Sequence, residues 1–269
     1  MNFTEEQKKE FSKKAVLFEM KTFTDAKIEA TDGIECSECG NKGYRMEVVY
    51  ENEFPYTVVY ECGCMTERKN KQSLKASGLE IMLKKTFDSY IARDPLQRKV
   101  KTLAQKNVYT KDWFFIGGQS GFGKTHICSA IANSLLKLGQ QVQYSVWTKD
   151  FKELNAMQYN KQDEFKWKKE DLERVDNLYI DDLFKVKDID SISNADIQLA
   201  FEIINYRYNN NLKTIISTEL SFEELAKLDQ AIFGRIRERA GENVLNISKD
   251  LRNNYRLNGR LVTGEDVGQ

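Results

Sequence analysis

The stretch GGQSGFGKTH, residues 117–126, closes an apolar run and leads directly into a helical pattern. Within it Gly118, Gln119, Ser120, Gly121, Phe122, Gly123, Lys124 and Thr125 fit G-x-x-x-x-G-K-[ST], the loop that cradles phosphates between a strand and a helix. The residue types follow from the chemistry. Glycines let successive backbone N–H groups turn inward around a β-phosphate, where side chains would block the approach and a helix N-terminus already favours negative charge. Lys124 is expected to reach the β and γ oxygens of a nucleoside triphosphate, and the Thr125 hydroxyl to ligate Mg²⁺. His126, the sole histidine, sits at the start of the nucleotide helix; it counts among the candidate binding residues without an assigned chemistry.

Such a site needs a second strand carrying acids, and NLYIDDLF (177–184) supplies Asp181 and Asp182. Asp181 is expected to hold magnesium through water and Asp182 to orient or polarise the attacking water. A simple capping role for Asp182 is the alternative. The run QVQYSVW (141–147) lies between the two motifs, so a further strand is expected to separate them in the sheet. That order belongs to ATPases with a strand-borne acid as base, and it favours ATP over GTP.

After the next strand, IISTEL (215–220) presents Ser217, Thr218 and Glu219 where a polar group could sense the γ-phosphate. Thr218 is the candidate for this role, and a helix N-cap at Ser221 explains part of the pattern. Farther on, GRIRERAGE (234–242) holds Arg235, Arg237 and Arg239, and SKDLRNNYR (248–256) holds Arg252. Arginine suits phosphate, so one of these completing a neighbouring copy's ATP site is an expectation; a solvated basic helix is the competing one.

From Asp112 onward β and α patterns alternate, through DWFFIGG, QVQYSVW, NLYIDDL, KTIISTE and ENVLNIS with helices between. This predicts an α/β fold, a parallel sheet with helices on both faces. Ahead of it, Asp94-Pro95 opens a helix with Leu96, Val100, Leu103 and Ala104 inward. Thr4 and Gln7 have capping-box spacing at the start of a helix that places Phe11, Ala15 and Phe18 on one face.

Between these pieces lie Cys36-x-x-Cys39 and Cys62-x-Cys64, at the base of a hairpin formed by YRMEVVYE and YTVVYE around Asn52 to Pro55. Four thiolates from two such knuckles can surround Zn²⁺ at about 2.3 Å each, as in a zinc ribbon. Two disulfides are disfavoured in a cytoplasmic chain. Cys128, on the apolar side of the helix after Thr125, reads as a core thiol. A helix over 66–77, stopping near Gly78, sets a boundary: residues 1–78 as a small α+β zinc-ribbon domain and 79–269 as the nucleotide domain.

Lysine plus arginine and aspartate plus glutamate are 41 each, so global charge selects no partner. The distribution does. Residues 28–61 hold eight acids against Lys42 and Arg45, a net charge of −6, which repels nucleic acid and favours a protein surface. Residues 68–111 hold twelve bases against three acids, a net charge of +9. That segment and the aromatic, lysine-rich stretch WTKDFKELNAMQYNKQDEFKWKK (147–169) are the candidates for single-stranded DNA, by stacking and phosphate tracking. Apolar runs fall far short of the ~20 residues of a membrane span and the N-terminus is too polar for a signal peptide, so a cytoplasmic protein is expected.

The region from about Thr86 to Arg256 resembles the AAA+ ATPases of the DnaC/DnaI replicative helicase-loader family, with relatives in the IstB transposition helpers. The likeness rests on KTFDSY (85–90), GQSGFGKT, LYIDDL, IISTELSFEEL, GRIRERAGENV and KDLR. It implies an AAA+ P-loop core and a slow ATPase, stimulated by single-stranded DNA or assembly. It implies that Arg239 is an arginine finger acting in trans, Arg235 a nearby trans-acting arginine, and Arg252 the arginine of a second sensor. Two departures stand out, Glu219 where asparagine is common and Asp182 where many AAA+ motors have glutamate; they point to a switch more than a motor. By the same likeness, the zinc module engages a DnaB-type helicase hexamer and the ATPase module engages single-stranded DNA, with self-association through the trans arginines. The rival expectations are an IstB-like transposition ATPase and a non-catalytic antagonist that captures the host helicase or loader.

Overall fold

In the computed structural model, which describes residues 4–26, 28–76 and 80–256, Thr4 caps α1 (Glu5–Asp25): its hydroxyl accepts from the Gln7 N–H, and the Gln7 side chain reaches back to the Thr4 N–H. The expected capping box is present. Strands β1 (Tyr44–Glu51) and β2 (Phe54–Glu61) pair antiparallel from Tyr44 against Glu61 to Glu51 against Phe54. Their turn is Asn52 and Glu53 alone, both with positive φ (50° and 68°), the geometry that matches strand twist in a two-residue hairpin. Pro55, expected in the turn, lies in β2 and pairs with Tyr50.

Helix α1 packs on this hairpin through Ser12, Val16, Glu19 and Phe23, a face at helical spacing. Ser12 Oγ donates to the Pro55 carbonyl (2.8 Å), Thr57 Oγ1 donates to Glu19 (2.7 Å), and the Phe23 ring meets Tyr44 at 5.3 Å. Phe11 and Phe18 share the other face and are 77% and 73% exposed. Phe3, expected with Phe11 and Phe18 to supply an apolar contact from this N-terminal segment, lies outside the described residues.

Helix α2 (Cys64–Ala76) starts on the fourth cysteine. Residues Met1–Gln72 and Ser73–Gln269 form two compact units. The boundary and helix stop expected near residue 78 fall in 77–79, outside the described residues.

Within the second unit, beyond the end of α2, come a short helix, α3 (Glu80–Leu83), and α4 (Pro95–Asn107), whose cap is Asp94 accepting from the Gln97 N–H. Val100 and Ala104 are buried as the periodicity required, but Leu96 is exposed and Gln97 takes the inward place, bonded to the Phe122 carbonyl (3.2 Å). Strand β3 (Phe114–Gly118) leads through the glycine loop to α5 (Lys124–Lys137). Then come β4 (Val142–Val146), a π-helical turn Trp147–Phe151, α6 (Lys152–Asn160), α7 (Gln162–Arg174), β5 (Asn177–Leu183), α8 (Asn194–Asn209), β6 (Lys213–Thr218), α9 (Phe222–Leu228), α10 (Gln230–Ala240) and β7 (Val244–Ile247).

The sheet is parallel throughout, in the order β4-β5-β6-β3-β7. A strand does separate the glycine-loop strand from the acid strand, and it is β6; QVQYSVW forms the edge. Strands β3 and β6 are buried along their whole length because helices cover both faces. Phe114 and Ile116 join Ile127, Cys128 and Ile131 of α5 on one side, while Phe115 joins Ile203, Ile232 and Ile236 on the other.

The aromatic-rich stretch divides. Trp147 and Phe151 are core residues packed with each other (4.5 Å), and Trp147 meets Phe184 at 4.7 Å. Tyr159 and Trp167 point outward, 76% and 67% exposed. Among the described residues no helix is long and apolar enough to cross a membrane.

Candidate functional site

Gly118 (φ 97°) and Gly123 (φ 101°) bracket the loop in conformations that disfavour any side chain. At Gly118 a Cβ would come 1.9 Å from the Ile247 carbonyl oxygen, so β7 runs tightly against the loop's entry. Lys124 is buried and its ammonium spans the loop, donating to the carbonyls of Gly118 and Gln119 at 2.8 Å each. Burial lowers its pKa, while Glu219 and Asp182 oppose that fall. Phe122 contributes main chain only, because its ring is core, stacked against Tyr255 (5.8 Å).

The acid strand bends where the chemistry is expected. Asp182 has φ 58°, and the β5–β6 register slips between Ile180 and Leu183. In a regular strand, consecutive side chains face opposite sides; the bulge places both aspartates toward the loop. Asp181 Oδ1 accepts from Thr125 Oγ1 at 3.1 Å, so the pair expected to hold magnesium is brought together. That carboxylate is buried within a ring of hydroxyls. Tyr179 donates to Oδ1 (2.7 Å), Tyr144 to Oδ2 (2.7 Å), and Ser217 Oγ also donates to Oδ1. Burial and the Asp181 charge raise both phenols well above their ordinary range, so they remain donors.

A cavity of about 320 Å³ opens beside the loop. Ser120, Gly121, Gly123, Lys124, Thr125 and His126 line one wall; Asp182, Lys185 and Glu219 line another, joined by Lys85, Tyr255 and Arg256. Four cations thus face two carboxylates, a field suited to a polyphosphate. His126 Nε2 lies 3.1 Å from both Ser89 Oγ and the Thr86 carbonyl oxygen, so it also ties α5 to the KTFDSY segment. Burial lowers its pKa against the effect of Thr86.

Of the three polar residues at the end of β6, the structure uses each differently. Ser217 serves Asp181, and Thr218 donates to the Leu183 carbonyl (2.7 Å) while accepting from the Leu220 N–H. Glu219 is the one that lines the cavity. Burial raises its pKa, but Ser120, Lys185 and Lys124 outweigh burial and hold the carboxyl below its ordinary value.

The arginines lie apart from the cavity. Arg235 stacks over Phe201 (4.9 Å) and Tyr208 (5.6 Å) and donates to Asn205 Oδ1 (2.9 Å). Arg239 donates to Asn211 (3.0 Å), and its carbonyl accepts from the Trp113 N–H just before β3. Arg252 pairs with Asp250, and the cavity-lining arginine is Arg256. Sequence reasoning missed Arg256, Lys85, Lys185, Tyr144 and Tyr179. The Tyr179-x-Asp181 spacing was a usable signal, since period 2 puts both on one side of a strand.

In the first unit the four cysteine sulfurs converge within 4.8 Å of one another. Cys36 Sγ and Cys62 Sγ are 3.7 Å apart, and Cys39 Sγ and Cys64 Sγ 3.5 Å. A tetrahedron with ~2.3 Å metal–sulfur bonds has edges of about 3.8 Å, so the donor set fits Zn²⁺. The knuckle is built for thiolate: the Gly43 N–H points at Cys39 Sγ (3.4 Å). Burial raises the Cys62 and Cys64 thiols, whereas the Gly43 N–H and the neighbouring sulfurs carry Cys39, against burial, down to about 7. Arg68 braces the assembly, bound to Asp32 and the Ile34 carbonyl. Cys128 is separate and fully buried in the core.

Comparison with known proteins places these features in context. An uncharacterized protein of Bacillus subtilis, YqaM, is 27% identical over 223 residues, covering 78% of this chain and 69% of its own. The phage-like element PBSX protein XkdC of the same organism is 29% identical over 213 residues, covering 74% and 77%. Among solved structures, the DnaC helicase loader aligns with TM-score 0.53 and 20% identity, over 64% of this chain and 99% of its own. DnaI aligns with TM-score 0.50 and 22% identity, over 64% and 92%. These two share the fold, an AAA+ P-loop core. The model of the IstB-like ATP binding proteins matches residues 35–258, and with the glycine loop and the acid strand meeting at Thr125 and Asp181, the chain belongs to that family of AAA+ ATPases.

Proposed function

We propose that this protein is an ATP-dependent loader that places a DnaB-type replicative helicase hexamer on single-stranded DNA at replication initiation, in the bacterial cytoplasm and in a phage-related setting. The observation that carries the reading is the pairing, in one chain, of this nucleotide site with a separate acidic four-cysteine unit whose α1 leaves Phe11 and Phe18 in solvent. An apolar face on an acidic body suits a protein partner. In this reading residues up to about 78 form the partner-binding domain and the remainder the ATPase domain.

Within the site, Lys124 exchanges the Gly118 and Gln119 carbonyls for phosphate oxygens. Thr125 and Asp181 hold magnesium, which when bound offsets the phosphate charge. Asp182 accepts the proton of the attacking water, and Arg256 takes the second-sensor role for which Arg252 was the sequence candidate. Arg239 and Arg235, outside their own chain's cavity, act on a neighbouring copy. Trp167, between the exposed Lys166 and Lys168 of α7, and Tyr159, near the end of α6, offer stacking platforms for single-stranded DNA.

A specific observation favours a second reading: the IstB-like family match begins at residue 35 and includes all four cysteines, as a transposition helper of that family could. One experiment separates them. The protein is mixed with its host's replicative helicase in ATP and in ADP, and complex mass and helicase transfer onto circular single-stranded DNA are measured. A complex that promotes transfer is expected. A complex that blocks transfer identifies an antagonist, and no complex moves the assignment to transposition.

A further inference from the structure

The turn after β5 does something the two sequence motifs do not require. Asp182 and Phe184 both have positive φ (58° and 57°), and the Lys185 N–H donates to the Asp182 carbonyl (2.9 Å). This tight fold-back returns Lys185 over its own strand end. Its ammonium lies 2.8 Å from Asp182 Oδ2 and 3.2 Å from Oε1 of Glu219, the residue just after the neighbouring strand β6. All three side chains line the same cavity as Lys124.

The charges decide what this arrangement does. Two carboxylates stand at the phosphate end of the cavity, and either one unneutralised would repel a terminal phosphate at short range. One ammonium compensates both. A third phosphate group adds negative charge at that end, whereas a diphosphate stops short of it. Lys185 therefore interacts differently with the two nucleotides, and only a differential interaction can make a site respond to which is bound. The left-handed turn also matters: residues other than glycine hold such a backbone only where the surroundings enforce it.

We propose that Lys185 is a specificity-determining residue of the nucleotide site, the cation that distinguishes ATP from ADP, with Glu219 as its tether. This rests on the nucleotide-site reading above and deepens it. Lys185 releases Glu219 toward the terminal phosphate of ATP and keeps it when ADP is bound.

The test is the ratio of ATP to ADP affinity, measured with magnesium by calorimetry on the full chain. Lys185→Met keeps the aliphatic stem and removes the charge. It is expected to weaken ATP about tenfold and ADP by less than threefold. Glu219→Gln alone should shift the ratio the other way, toward ATP, and Lys185→Met with Glu219→Gln should recover most of the lost ATP affinity. Both side chains are partly exposed (39% and 34%), so the variants are expected to fold, and Lys185→Arg serves as the charge-retaining control. Equal loss of ATP and ADP in Lys185→Met, or no recovery in the double variant, overturns the proposal while leaving the nucleotide site in place. Wild-type protein that binds neither nucleotide overturns the underlying reading and the proposal with it.

Discussion

Thr125 Oγ1 lies 3.1 Å from Asp181 Oδ1, although the strands that carry their motifs are not neighbours and β6 runs between them. The intervening strand contributes as well, since Ser217 donates to Asp181 and accepts from the Asp182 N–H at 3.1 Å. The proposed magnesium position thus draws on three strands and one helix, and substitutions there are expected to have separable effects.

Lys124→Ala should lower magnesium–ATP affinity by roughly 100-fold or more, because it removes the buried charge that in the proposed site meets the phosphates. Arg239→Ala should bind ATP as the wild type does and lose the hydrolysis that accompanies self-assembly. Calorimetry and turnover measured across protein concentration check the pair. Equal binding loss in both variants would contradict the trans assignment.

Tyr179→Phe keeps the buried ring and deletes one charge-assisted hydrogen bond to Asp181. The magnesium concentration for half-maximal turnover should rise about tenfold. Nucleotide affinity in the absence of magnesium should stay within a factor of two. An unchanged magnesium requirement would show that the hydroxyl has no part in setting the carboxylate.

Freshly purified protein should carry about one zinc per chain by elemental analysis. Cys39→Ser should lose partner binding and thermal stability of the first unit, while the second unit's nucleotide affinity persists. Metal-free protein with its cysteines intact and reduced would undo this assignment.

His126 is the only histidine, so its imidazole resonances report a single site. Burial depresses its pKa below the ordinary value of 6.5, against the Thr86 carbonyl. The folded state therefore keeps the ring neutral while the unfolded chain takes up a proton near pH 6.5. Its contribution to stability is full above that pH and declines as pH falls toward the folded value. Proton NMR titration should give a midpoint below 6.5, and a midpoint at or above it would contradict the burial argument.

Much of the parallel sheet was legible because its strands are short, apolar and bounded by helical periodicity; NLYIDDL coincides with β5 residue for residue. The glycine loop and the cysteine cluster were legible because spacing alone constrains them. What periodicity could not give is the direction of faces set by tertiary partners. Leu96 gave way to Gln97, since a carbonyl at Phe122 needed a donor. Phe11 and Phe18 faced outward, because Val16 and its helical neighbours had the hairpin to cover. Lys185 belongs to no motif, and Lys85 and Arg256 stand at the ends of KTFDSY and SKDLRNNYR without a role legible there; turns and chain crossings bring all three to the cavity, and those are properties of the fold.

The segment after β7 closes over the glycine loop, with the Tyr255 N–H on the Gly121 carbonyl (3.2 Å) and its ring on Phe122. Tyr255 and Arg256 of that segment also line the cavity, so in the proposed function docking of the segment and occupancy of the cavity share the same residues. On the proposed reading, a partner whose binding near Tyr255 and Arg256 shifts nucleotide affinity by some factor has its own affinity shifted by bound nucleotide by the same factor. On that reading the stretch around residue 255 serves as a two-way transmission point between a bound partner and a bound nucleotide.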